Sequence, residues 1–329
     1  MPARRRALWV LVLLAVLSVG SLVIALAAGS VAVPLTDVFA ALSGGDAPQA
    51  AIVLDLRLPR ALAGFAVGGL LALAGALMQV LLRNPLADPY VLGISGGAGV
   101  GALSAMLLGL AGLSVAGFSF AGALAAMLLV FGLAHGVGGW TQTRLLLTGV
   151  VVAAGCGAVV ALILTLAPEQ KIHGMLFWLM GDLSQTSTPG LALALLAAAF
   201  LIALPFAREL NLLARGAETA AALGVAVSRL RRLVYFVASL ATAGAVTTAG
   251  SIGFVGLIVP HLVRLAIGPR MGNDQRLLLP AAMLAGGSLL VLADTAARTV
   301  VAPIQLPVGV LTALIGVPVF LYLLSRGQK

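Results

Sequence analysis

Ten apolar runs, separated by short polar or glycine-rich breaks, organise this chain: near residues 7–28, 58–82, 92–111, 115–139, 145–167, 189–207, 232–250, 252–267, 277–297 and 306–324. A hydrocarbon layer of about 30 Å is crossed by roughly 20 helical residues, so most of these runs suffice for one crossing. The eighth is short, and its separation from the seventh rests on the stretch Gly250 to Gly256. The pattern predicts an all-α polytopic membrane protein of about ten transmembrane helices, with residues 1–329 as one transmembrane domain. The first run follows Arg4, Arg5 and Arg6 as a signal peptide would. At Ala7 to Ala28 it is long enough to span, and it is expected to remain as the first helix.

One polar stretch breaks the rhythm. Residues 208–232 are too polar to cross, and between Leu210 and Leu223 apolar and polar positions alternate. This predicts one or two short helices outside the bilayer, with Gly216 and Gly224 as breaks; an ordinary connecting loop is the alternative. Ordered segments of this length between spans tend to serve a function.

Composition agrees with lipid as the solvent. Hydrophobic residues make up 61% of the chain and charged ones 9%, too little polar surface to cover a water-soluble body of this size. The 40 glycines suit close helix packing in a bilayer. Gly93, Gly97 and Gly101 form a smooth stripe on the third span, which favours packing over a pathway lining. The single cysteine, Cys156, lies in an apolar run and is expected to pack there.

Basic residues set the orientation, because short cytoplasmic loops are enriched in Lys and Arg. With the N-terminus inside, ten crossings put fifteen of the nineteen on the cytoplasmic side: Arg4, Arg5, Arg6, Arg83, Arg144, Arg208, Arg215, Arg229, Arg231, Arg232, Arg264, Arg270, Arg276, Arg326 and Lys329. Arg57, Arg60, Lys171 and Arg298 fall outside. Both termini are then cytoplasmic in a multi-pass protein. No basic patch interleaves with aromatics, so nucleic acid is excluded as a partner.

Chemistry-bearing residues are sparse. Asp294 lies near the outer end of the ninth span, four residues before Arg298, so the two can pair on one helical face. His135 and His261, near inner span ends, are expected to be packed or interfacial. His173 sits in an outer loop with Glu169 and Lys171. No metal-ligand spacing, activated nucleophile or phosphate loop occurs, so the chain alone is not expected to be an enzyme. Ion-coupled transporters carry ionisable groups deep in their spans, and these spans are almost bare. Energy for uphill transport must then come from a partner, for which residues 208–232 are the natural docking surface. A secondary transporter and a passive channel, each acting without an ATPase, are the rivals.

Several motifs occur together. Arg57-Leu58-Pro59-Arg60 precedes a glycine-rich span, and Arg83-Asn84-Pro85-Leu86-Ala87-Asp88-Pro89 and Leu92-Gly93-Ile94-Ser95-Gly96-Gly97-Ala98-Gly99 follow it. Then come Thr143-Arg144-Leu145-Leu146-Leu147, Phe177-Trp178-Leu179-Met180-Gly181, the run Gly253 to His261, and Leu306-Pro307-Val308-Gly309. In this order, over most of the chain, they resemble the FecCD family, permeases of importers for iron siderophores, haem and cobalamin.

The resemblance implies a homodimeric type II ABC importer permease in the bacterial inner membrane. It implies two cytoplasmic ABC ATPase subunits and a periplasmic substrate-binding protein as partners, with surrounding lipid. ATP and Mg would sit on the ATPase, and no cofactor on this chain. Position by position, Arg57, Arg60 and Arg298 look like residues that meet acidic side chains of the binding protein; anchoring to lipid headgroups is the plain alternative. Glu209, Leu212, Leu213, Ala214, Arg215, Gly216 and Glu218, ending at Gly224, resemble the coupling helices that enter a cleft on the ATPase. Leu212, Leu213 and Ala214 would fill the groove, with Arg215 and Glu218 at its rim. Asn84 with Leu86, and Gln142 with Thr143, match the cytoplasmic gate, although Gln142 stands where a small hydroxyl residue is common. The implied substrate is an iron chelate or cobalamin.

Overall fold

The computed structural model describes residues 3–45, 47–134, 141–184, 186 and 189–326. His135, the end of the fourth predicted span and Lys329 lie outside them. The helices are α1 (Ala3–Ala27), α2 (Leu35–Leu42), α3 (Leu58–Leu81), α4 (Ile94–Leu107), α5 (Leu113–Ala134), α6 (Gln142–Leu166), α7 (Glu169–Met180), α8 (Gly190–Ala203), α9 (Ala207–Arg215), α10 (Ala217–Ala222), α11 (Val227–Ala249), α12 (Val255–Ile267), α13 (Gln275–Thr299) and α14 (Val308–Arg326). Seven helical stretches are long and apolar enough to cross a membrane, and α4, α12 and most of α14 are shorter apolar helices. Together they occupy the ten predicted runs.

Two helices were not predicted. α2 packs through Val38 and Ala41 beside the end of α1. α7 replaces the expected outer loop: its apolar stretch from Met175 to Met180 is too short to span, and Met175 is buried against α4 and α6. A π-helical turn, Ile52–Arg57, leads directly into α3.

α3 is the axis of the bundle. Its most apolar window is 89% buried, against 17% for α6 and 22% for α1, which lie at the periphery. Backbone-to-backbone contacts put it there. A Cβ placed on Gly68 would stand 2.2 Å from the Gly286 carbonyl oxygen of α13. One on Gly75 would stand 1.9 Å from the Gly256 oxygen of α12. With no water-driven attraction between helices in lipid, such proximity is how they gain dispersion energy. The glycine stripe of α4 also packs: Cβ atoms on Gly97 and Gly101 would collide with the Gly122 and Phe118 carbonyls of α5.

α4 and α12, at about 1.5 Å per residue, cover only part of a bilayer, and non-helical backbone completes their path. Such backbone survives at membrane depth only if buried and satisfied. Tyr90 does this between the two breaks. Its hydroxyl donates to the Ile252 carbonyl and accepts from the Ile252 amide, each at 3.0 Å. Ser95 and Ser251 pair beside it at 2.9 Å.

Candidate functional site

Three of the four basic residues placed outside by the charge pattern gather at one end of the bundle. The Arg57 guanidinium is 5% exposed and donates to the carbonyls of Leu26, Ala27 and Val31. The last turn of α1 leaves the Leu26 and Ala27 oxygens without helical partners, so the arginine acts as its cap while also holding the Val31 carbonyl of the loop that follows. Gly29 leaves room for it: a Cβ there would stand 2.6 Å from Nη2 of Arg57. Arg298 reaches the same turn, donating to Ala25 at 2.9 Å.

Asp294, 3% exposed, lies between the other two arginines. It pairs with Arg298 one turn along α13, as its spacing predicted, at 3.4 Å. Sequence spacing gave no sign of its stronger partner, Arg60 of α3. Arg60 donates Nε to both carboxylate oxygens, at 3.1 and 2.9 Å, and Nη2 to Oδ1 at 2.8 Å. Its Nη1 donates to Oε1 of exposed Gln305 at 2.9 Å. Lys171, the fourth outer basic residue, donates to the Leu107 carbonyl at the C-terminus of α4, holding α7 in place.

At the opposite end, α8 continues through a 3-10 turn at Pro205 into α9, and Gly216 (φ 137°, ψ 147°) separates α9 from α10. Gly224 (φ 84°) ends α10, so both predicted breaks are present. Burial divides the candidate coupling residues. Ala214, Arg215, Glu218 and Gly224 are exposed, Glu209 and Leu212 are half-buried, and Gly216 is buried. Leu213 departs from expectation: at 1% exposure it packs with Leu210 in the core and cannot fill a groove on another protein. The apolar side chain that protrudes is Leu223, 62% exposed.

Asn211 ties this segment to the bundle. Its Nδ2 donates to Asp274 at 2.9 Å, and its Oδ1 accepts from the Gln275 amide at 2.8 Å. Asp274 caps α13 by accepting from the Arg276 amide. An Asn inside a polar segment and an Asp before an apolar run were the only signals available.

The four predicted gate residues lie on two neighbouring segments. Asn84 accepts from the Leu86 amide at 2.9 Å in a tight turn that follows Arg83, whose φ is 47°. Gln142 donates to the Leu81 carbonyl at 3.0 Å, so α6 begins against the end of α3. Asn84, Leu86 and Thr143 are exposed. Asp88 is half-buried and accepts from the Tyr90 amide at 2.7 Å.

Cys156 is half-buried beside Gly96, the His173 ring lies tilted at 45° against Phe177 with centroids 4.6 Å apart, and His261 is half-buried. Among the described residues no group of His, Cys, Asp and Glu has the arrangement to hold a metal ion.

The FecCD transport family profile matches residues 13–326. The cobalamin import system permease protein BtuC of Halobacterium salinarum is 46% identical over 83% of this chain and 73% of its own length. The hemin transport system permease protein HmuU of Yersinia pestis is 42% identical over 84% of each. A solved structure described as a metal-chelate type ABC transporter, in an inward-facing conformation, superposes with a TM-score of 0.84 at 31% identity, covering 97% of this chain and 99% of that one.

Proposed function

This chain belongs to the FecCD transport family, and from that premise we propose that it is the permease subunit of an ATP-driven importer carrying an iron chelate or cobalamin into the cytoplasm. The relatives named for cobalamin and haemin transport support that substrate class. Two copies of the chain would form the pathway in the bacterial inner membrane, with both termini cytoplasmic. Two ATPase subunits would bind inside, and a substrate-binding protein outside.

The observation that carries this reading is the α9–α10 pair. It follows α8 at the arginine-rich end, presents Leu223, Ala214 and Arg215 outward, and is tied to α13 through Asn211. A helix pair anchored on its apolar face, with Leu223 and Ala214 exposed among the charged side chains Arg215 and Glu218, suits docking in a groove with a polar rim. Against a transporter acting alone stands the charge distribution: among the described residues the fully buried charged side chains are Arg57 and Asp294, both at the outer end. A coupling ion would need such groups deep in the spans.

The test is reconstitution. Co-expressed with its ATPase, the chain should co-purify with it, and proteoliposomes holding both should take up one of cobalamin, haemin or a ferric siderophore only with ATP and binding protein present. Uptake driven by an ion gradient without ATPase would reverse the proposal.

A further inference from the structure

The start of α1 runs against the field of its own backbone. Unbonded amides give a helix N-terminus a partial positive charge, which acidic side chains or bound anions offset. α1 has no acidic residue in its first turn and carries Arg4, Arg5 and Arg6 there, all exposed. Among the described residues both ion pairs lie at Asp294, at the other end of the bundle, so none of these three has a carboxylate partner.

Arg6 reaches the last turn of α12, where its Nε donates to the Ala266 carbonyl at 3.0 Å. Its guanidinium lies against Gly268 (φ 98°), where a Cβ would stand 3.3 Å from Nη1. The turn that follows is compact. The amides of Met271 and Gly272 both donate to the Gly268 carbonyl, and a Cβ on Gly272 would meet the Arg264 oxygen at 2.5 Å. Pro269 and Arg270 are left exposed, and the Arg270 Cα can be no more than about 7 Å from that of Gly268. In the last turn of α12, Nη1 of Arg264 is buried without an acceptor. Cations thus gather where the two helices meet, and the chain supplies no anion to match them.

The surface below this cluster indicates which anion fits. Trp9 follows Arg5 by four residues and Leu13 follows Trp9 by four more, so the three share one face of α1. Trp9 is 58% exposed and Leu13 66%, with Val12 and Val16 exposed alongside. Charge, then indole, then aliphatic side chains follow the order of a membrane leaflet, in which phosphate gives way to ester groups and then to acyl chains.

We propose that the start of α1 and the end of α12 form a seat for the phosphate of an anionic membrane lipid. Arg5, Arg6 and Arg270 hold the phosphate, Trp9 lies at the level of the ester groups, and one acyl chain runs along Leu13 and Val16. The lipid supplies the charge that neither helix carries, and it fastens the peripheral α1 to α12 beside the hydrogen bond from Arg6 to Ala266.

The test uses the full chain, stripped of lipid in dodecyl maltoside. Added phosphatidylglycerol should raise the melting temperature and remain on the protein in native mass spectra, while phosphatidylcholine should do neither. Glycerol phosphate at the same concentration should neither stabilise the chain nor displace the lipid. Arg5→Gln combined with Arg270→Gln changes two exposed side chains, so the lipid-free melting temperature should hold while phosphatidylglycerol binds about tenfold or more weakly. Arg208→Gln combined with Arg229→Gln removes the same charge from other exposed positions at this end and should bind the lipid as the parent does. An equal loss in that control, equal stabilisation by phosphatidylcholine, displacement by glycerol phosphate, or unchanged lipid binding after Arg5→Gln with Arg270→Gln would each overturn the proposal.

Discussion

The Asn211 amide of α9 donates to the Asp274 carboxylate at the start of α13 at 2.9 Å, locking the candidate coupling segment to a spanning helix. A hydrogen bond to a charged acceptor contributes about 1.5–3 kcal/mol. Asn211→Ala should therefore leave the complex assembled and hydrolysing ATP while the substrate moved per ATP falls several-fold. The ratio of uptake to phosphate release in proteoliposomes checks this, and an unchanged ratio would refute it.

Gly75 permits no side chain. Its notional Cβ would overlap a backbone oxygen of Gly256 at 1.9 Å, and a carbonyl on a packed helix cannot swing aside as a side chain can. Gly75→Ala should cost about 1–3 kcal/mol or more by overpacking and lower the melting temperature in detergent. Gly117→Ala, with open space around it, is the control and should melt as the parent does.

Leu213 and Leu223 should separate folding from coupling. Leu213→Asp puts a charge into the core and is expected to reduce the yield of folded protein. Leu223→Asp changes an exposed position, so the melting temperature should hold while ATPase co-purification and uptake fall. Equal stability of both variants would contradict the burial difference.

Arg57→Ala should be a stability variant. It removes the donor shared by the Leu26 and Ala27 carbonyls at the end of α1 and the Val31 carbonyl just beyond it, at a cost of about 3 kcal/mol. Thermal unfolding should move down, with binding-protein affinity per folded transporter changing less than in Arg60→Ala.

Features governed by lipid or by local backbone were legible in the sequence. The ten runs follow from hydropathy, the breaks at Gly216 and Gly224 from glycine, and the Asp294 to Arg298 pair from one helical turn. Partnerships made across the bundle were not legible. Arg60 and Asp294 stand 234 residues apart, and neither has a pattern around it that names the other. Arg57 looked outward-facing because an arginine at a span boundary usually serves the interface; its burial depends on how α1 unwinds into Gly29. Leu213 follows Ala207 and Leu210 at three-residue steps along the inner face of α9, a spacing masked by its place in the apolar triplet Leu212 to Ala214. α7 was missed because its apolar half is shorter than a crossing.

α13 has Asp274 and its tie to Asn211 at one end, and Asp294 and Arg298 at the other, with about 30 Å of helix between. The two tips belong to one continuous helix, with Pro280 near its start, so a tilt imposed at either tip reaches the other along a single backbone. Cargo then need not be gripped midway for the two faces of the membrane to stay informed of each other, which suits a conduit for bulky molecules that pass through without being held.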